Sequence, residues 1–276
     1  MSLGIAFKGP EGIVLAADSR VTLMAIAQQQ GPQVAPTGPA LQVQIPVTYD
    51  NATKLLRVQG QDHVGAVTYG VGAIGVASPR TAHSYVPEFE ASLAEERLSV
   101  NDFAVKLSEF FLGRWNAEMP PVNPPGNDMV FLVGGYNDGE PYGHVYDFYI
   151  PSRPTPVEQQ ENSFGMVWGG QREYTDRLIQ GFDERVPLLV QQKLGLNDQQ
   201  RDELREHLRQ LQAPIPYPFL PLQDCVDLAV FLIRTTIKLH TWIVDVRGVG
   251  GAIDVATVTR TDGLSLVQQK SIHGES

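Results

Sequence analysis

A chain of 276 residues with 42% hydrophobic residues has the composition of a folded globular protein, long enough for one large domain or two small ones. Its formal net charge of -10, with no clustered Lys/Arg stretch, argues against nucleic acid or an anionic membrane as partner, because phosphate binding needs a basic footprint. No run approaches the ~20 apolar residues of a membrane-spanning helix, the first residues lack a secretory signal, and the single cysteine, Cys225, provides no disulfide framework, so a cytoplasmic protein in a reducing compartment is expected.

Two apolar segments open the chain, Ile5 to Lys8 and Ile13 to Asp18, joined by Gly9-Pro10-Glu11-Gly12, the pattern of a short-looped β-hairpin. Residues 24 to 50 are rich in Gln, Pro, Gly and Ala and predict a long loop or partly ordered insertion. A second strand pair runs from Lys54 to Val58 and from Val64 to Tyr69, closed by the small-residue turn Gly70 to Ala73. Helices are predicted over about 79 to 97 and 101 to 118; in the second, Phe103, Leu107, Phe110 and Phe111 recur at helical spacing after Asn101 as a candidate N-cap.

Strands resume at Met129 to Val133, Gly143 to Ile150 and Ser163 to Trp168, read together as a second sheet. Helical patterns return at about 171 to 194, 197 to 211 with Asn197 as cap, and 222 to 242. Between them, Ala213 to Pro218 is excluded from any helix by its prolines. Two last strands, Ala252 to Arg260 and Leu264 to Lys270, meet at Thr261-Asp262-Gly263, a strong hairpin signal. Segregated runs of strands and helices predict an α+β fold in which two antiparallel sheets stack between helical layers.

Several chemistry-bearing residues lack a supporting pattern. The six histidines show no metal-ligand spacing, so no metal and no cofactor is expected. Gly248-Val249-Gly250-Gly251 follows a helix and opens a strand, the wrong order for a phosphate-binding loop. Cys225 reads as a buried small apolar side chain in a helix.

Ser2 to Lys8 followed by Gly12 to Arg20 resembles, without a gap, the mature start of a proteasome β-type subunit. Phe131 to Gly135 and Gly250 to Gly263 resemble that family's inner and final strands, so the matching pieces run from end to end of the chain. The resemblance implies a single domain over 1–276 with the four-layer αββα sandwich of the N-terminal-nucleophile (Ntn) hydrolases, interrupted by insertions at about 24–50 and 190–222. It places Ser2 at the family's N-terminal nucleophile, where proteasomes use threonine, Asp18 at its conserved aspartate and Lys54 at its catalytic lysine. Val21, Ala52 and Thr68 fall at specificity-pocket positions, a small and uncharged lining. The family's helper serine falls at Gly169-Gly170-Gln171, and the Asp and Ser of its last loop fall near Asp245, shifted by one residue, and Val249. No serine stands at either helper position.

The chemistry of these residues is coherent without the resemblance. A serine hydroxyl needs a base, and an N-terminal serine carries one in its own α-amine, whose typical pKa is about 7.7–8. Met1 precedes a small residue, so ordinary methionine removal is expected to expose Ser2. A cation beside the amine, assigned to Lys54, favours its neutral form and stabilises developing alkoxide, with Asp18 orienting that lysine. The backbone N–H of Gly70, with Gly72 next in line, is the candidate oxyanion donor. Each residue alone also has an ordinary reading: Asp18 and Arg20 as a surface pair at a strand end, Lys54 as a solvated strand residue. The expected function is a proteasome-like peptidase, acting on peptide or unfolded protein, that assembles into a homo-oligomeric ring or arc and is compatible with an ATPase partner. A small-molecule amidase of the same class and an inactive structural ring subunit are the alternatives.

Overall fold

The computed structural model describes every residue except 1, 29–41, 77, 94–95, 122–123, 125, 245–246, 272–273 and 275–276. The first hairpin, β1 (Leu3–Lys8) and β2 (Ile13–Asp18), is closed by a turn in which Gly9 N donates to Gly12 O at 2.9 Å. Every residue of both strands is buried, which explains why they read as continuous apolar runs and not as an alternating pattern. Residues of opposite parity face opposite sides: Leu3, Ile5 and Phe7 pack in one core, Ala6, Ile13 and Leu15 in another.

The prediction of a long loop over 24–50 is corrected in part. β3 (Val21–Gln28) and β4 (Gln42–Tyr49) pair antiparallel from Val21↔Tyr49 to Gln28↔Gln42 as a separate two-stranded sheet, and residues 29–41 lie outside the described part. Backbone pairing in a hairpin does not require an apolar face, so composition gave no sign of these strands. The short β5 (Leu55–Leu56) and β6 (Val64–Gly70) then lead to a 3₁₀ turn at Ala82–Tyr85 and to α1 (Val86–Ser92), shorter than the predicted helix.

Helix α2 (Val100–Glu118) begins one residue earlier than predicted, and its cap is Ser99, whose side chain accepts from Asp102 N; Asn101 lies inside the first turn. The stripe Phe103, Leu107, Phe111 and Trp115 is buried, each such side chain contributing roughly 1.5–3 kcal/mol of transfer free energy. It packs against β7 (Met129–Gly135), β8 (His144–Ile150) and β9 (Arg153–Gln159). β9 escaped sequence reading because Pro154 and Pro156 argue against a strand; as the edge strand it tolerates missing donors.

The third predicted strand of the second sheet belongs to the first. β10 (Gly165–Gly170) pairs with β1 from Leu3↔Gly170 to Lys8↔Gly165. The helix predicted over 171–194 is two, α3 (Glu173–Ile179) and α4 (Arg185–Leu194), separated by Gly181 and the Asp183 turn. α5 (Asp198–Leu208) starts at Asn197 with a capping box completed by Gln200, and α6 (Leu222–His240) follows the proline strap. Cys225 is fully buried in α6, and burial pushes its thiol up to about 11. β11 (Ile253–Thr259) and β12 (Gly263–Gln268) close the chain.

The two five-stranded antiparallel sheets have the orders β10-β1-β2-β11-β12 and β5-β6-β7-β8-β9. One core lies between them, built on Leu15, Val67, Leu132 and Ala256. A second holds α2 to the outer side of the β5–β9 sheet, and a third holds α6 to β1, β2 and β11. No described helix is long and apolar enough to cross a membrane.

Candidate functional site

The β1–β2 hairpin sets Ser2 and Asp18 at the same end, since its register pairs Gly4 with Ala17. Asp18 is 1% exposed, and its carboxylate is an organising centre. Oδ1 accepts from Leu3 N at 3.0 Å and from Lys54 Nζ at 2.7 Å. Oδ2 accepts from Arg20 N at 3.1 Å and Gly250 N at 3.0 Å. One side chain thereby fixes the residue after Ser2, the exit of β2, the loop entering β11 and the lysine. Charge-assisted bonds of this kind are roughly twice as strong as neutral ones.

Lys54 is delivered from the other sheet. Ala52 N donates to Ser19 O at 2.9 Å and Thr68 N to Lys54 O at 3.0 Å, so residues 52–54 bridge the exit of β2 and strand β6. The side chains of Lys54 and Asp18 are 7% and 0% exposed, which makes theirs a buried ion pair, not the solvated pairing that either residue alone suggests. Burial strips water from the Lys54 ammonium and draws its pKa below the usual lysine value; the charge and hydrogen bond of Asp18 oppose this, and the nearby charges of Lys270 and Arg20 add to it.

Ser2, Lys54, Val21, Ala52 and Thr68 line one cleft, with Thr53, Tyr69, Val71, Gly72, Thr81 and Ala82 completing it and about 20 Å³ of open volume. Ser2 itself is 3% exposed. Gly70 lies at the end of β6, with φ at +86°, and a Cβ there would stand 2.2 Å from Asp128 O, so only glycine fits. Val71 N donates to Asp128 O across the β6–β7 ladder. The alternation of an antiparallel ladder then turns the N–H of Gly70 the same way as that of Thr68, toward the side of residues 52–54, although Gly70 itself is not among the residues lining the cleft.

Gly169 and Gly170, in the stretch where the resemblance expects a helper serine, have a structural reason. Gln171 N donates to Ser2 O at 2.8 Å, and a Cβ on Gly170 would lie 1.8 Å from that same carbonyl oxygen, with φ at +97°. A Cβ on Gly169 would fall 2.2 Å from the hydroxyl oxygen of Tyr69. The tyrosine therefore fills the space above the β1–β10 pair beside Ser2, its own hydroxyl shifted to higher pKa first by burial and then by its neighbour Tyr149. Sequence reasoning missed Tyr69, whose only signal was a bulky residue one place before Gly70.

Asp245 lies outside the described residues. Arg20 pairs not with Asp18 through its side chain but with Asp50, Nη2 to Oδ2 at 2.7 Å, and its Nη1 donates to Arg247 O at 3.1 Å. That arrangement ties the loop carrying Gly250 to the end of β4. The Gly248–Gly251 segment thus serves Asp18 with a backbone donor, a role that no spacing motif announced.

No protein-family model and no curated protein matches this sequence. Among solved structures the chain is similar to an Anbu (Gly-1) mutant from Hyphomicrobium sp. strain MC1, at 14% identity and a TM-score of 0.53, covering 98% of this chain and 86% of that one. It is similar also to the Anbu complex from Pseudomonas aeruginosa, solved as a helical assembly, at 14% identity and a TM-score of 0.54, covering 98% and 88%. Likeness at this identity shows the fold alone, a proteasome-like Ntn fold.

Proposed function

We propose that this chain is a proteasome-like peptidase that cleaves amide bonds with Ser2 once Met1 has been removed. The observation that carries the reading is the buried Lys54 ammonium, held at 2.7 Å by Asp18 in the cleft that Ser2 lines. In this reading the α-amine of Ser2 takes the proton of its hydroxyl, and Oγ attacks the substrate carbonyl. The tetrahedral oxyanion accepts from Gly70 N–H, a preset donor whose loss typically costs ~10²–10³ in rate. The amine proton passes to the leaving nitrogen, and water then hydrolyses the ester by the same base. Lys54 stays charged throughout, lowering the cost of the alkoxide and keeping the α-amine neutral.

The architecture fits a single four-layer αββα domain, supported by three separate cores, one between the sheets and one under each helical layer. The small lining of Val21, Ala52 and Thr68 and the limited open volume favour a small apolar residue before the scissile bond. The same small volume supports the second reading, an amidase acting on a compact amide. Assembly separates the two: in the first reading the chain forms a homo-oligomeric arc or ring that takes unfolded peptide, the helical assembly of the Anbu complex supports the homo-oligomer, and particle mass tests it. The glycines at the helper position favour the third reading, a silent ring subunit, and labelling decides it.

Intact mass is expected to show loss of Met1, and an electrophilic peptide probe such as a peptidyl vinyl sulfone is expected to add once, at Ser2. Ser2→Ala is expected to abolish the adduct and lower turnover of a fluorogenic peptide by at least ~10³. Retention of Met1, or an adduct on another residue, overturns the assignment, because a blocked amine is no base.

A further inference from the structure

Behind Lys54 lies a second carboxylate–ammonium pair that the chemistry above leaves unused. Asp254, on β11, is 3% exposed and stands opposite Ala17 across the β2–β11 ladder, next to the Ile253↔Asp18 pair. Its carboxylate accepts from Lys270 N at 2.9 Å and from Lys270 Nζ. Gln268 Nε2 at the end of β12 donates to Ile253 O at 2.7 Å, and Lys270 N donates to Asp254, so both are tied to the start of β11. Thr53 and Leu55, the neighbours of Lys54, share one cavity of about 80 Å³ with Asp254 and with Gln269, the neighbour of Lys270.

A buried ion pair seldom stabilises more than a well-packed apolar pair of the same volume. What it does deliver is a fixed charge in a region where water does not screen it. We propose that Lys270 is a positioning residue of the reaction: held by Asp254, its ammonium stands as a second positive charge behind Lys54 and tunes the proton on it. The C-terminal stretch of the chain thereby acts on a site built from its N-terminal hairpin. Its catalytic meaning rests on the Ser2 reading above; the electrostatic coupling does not.

The charged groups around the two lysines fix the sign. Lys54 faces Asp18 from β2, Arg20 and Asp50 from the segments beyond β2 and β4, and Lys270 from the chain's end. Lys270 faces Asp254 from β11 and His83 from the turn before α1, whose imidazole is held below its usual value by burial and then by Lys270. Removing the Lys270 charge takes away a like charge, so Lys54 must hold its proton to higher pH. Under the proposed chemistry, in which Lys54 works charged, the alkaline limb of kcat/KM moves up with it.

The test uses the full chain with ¹³C-labelled lysine, the Lys54 signal assigned by Lys54→Arg and titrated by NMR beside the pH profile of peptide cleavage. Lys270→Met is expected to raise the Lys54 midpoint by on the order of one pH unit, the scale of removing one like charge at an effective dielectric constant of ~20. Lys270→Arg is expected to return it to the wild-type value. Asp254→Asn/Lys270→Met, which leaves neither charge buried, is expected to shift it in the same direction by less, and carries the test if the single variant does not fold. An unmoved midpoint in these charge-removing variants, or one that Lys270→Arg fails to restore, overturns the proposal. If Ser2→Ala retains activity, the peptidase reading falls while the midpoint still judges the coupling; if Ser2 is required and the midpoint is unmoved, this inference alone falls.

Discussion

The β1–β2 hairpin and helix α5 stand at opposite extremes of burial. Every residue of the two strands is buried, and α5 buries none. The hairpin holds its shape through packing on both faces and through the Asp18 carboxylate, whose bonds reach as far as Gly250. The helix holds its shape locally, through the Asn197–Gln200 capping box and exposed pairs such as Arg201 with Asp198. Exposed pairs of that kind contribute about 0–1 kcal/mol each. Damage at the hairpin therefore spreads to several segments, whereas damage at the helix stays where it is made.

The sharpest way to break the contrast is Asp18→Ala. It leaves the Lys54 ammonium buried without its carboxylate and removes the acceptor of three backbone N–H groups. A loss of about 3–5 kcal/mol is expected in urea unfolding, in keeping with breaking a buried pair from one side. A loss under about 1 kcal/mol would mean that the carboxylate does not organise the site.

Gly170→Ser, which puts a serine in the Gly169-Gly170-Gln171 stretch where the resemblance expects one, should harm and not help. Its Cβ meets Ser2 O, and its φ of +97° disfavours any side chain. About 1–3 kcal/mol of stability is expected to go, and probe labelling at Ser2 with it; faster labelling would show that the β1–β10 edge gives way readily. The smallest effect belongs to the helix: Asn197→Ala should cost about 1 kcal/mol by losing the cap, with Ser2 labelling unchanged. A change in labelling rate there would contradict the separation of the two regions.

Local pattern made parts of this molecule legible. The turn glycines around the first hairpin, the helical stripe of α2 and the Asp-Gly turn before β12 each declare their element within a few residues, because periodicity and turn chemistry are local properties. The resemblance singled out Ser2, Asp18 and Lys54, and the fold brings Ser2 and Lys54 to one cleft and Lys54 and Asp18 to one ion pair. The N-cap of α2 was misplaced by two residues, from Ser99 to Asn101, because both residue types cap well and only the hydrogen bond chooses between them.

By itself, then, the sequence determined which segments are strands or helices over most of the chain and which side chains are candidates for nucleophilic chemistry. The tertiary structure alone decided that β10 joins β1 and not β8, that the proline-bearing β9 survives as an edge, and that Tyr69 fills the space a side chain at Gly169 would need. It also decided that Gly250 serves Asp18, and that Lys270 returns from the end of the chain to Asp254. The reason is physical: a side chain's own pattern fixes its local geometry, whereas strand neighbours and buried charge partners are set by which distant backbone closes the sheet and excludes water.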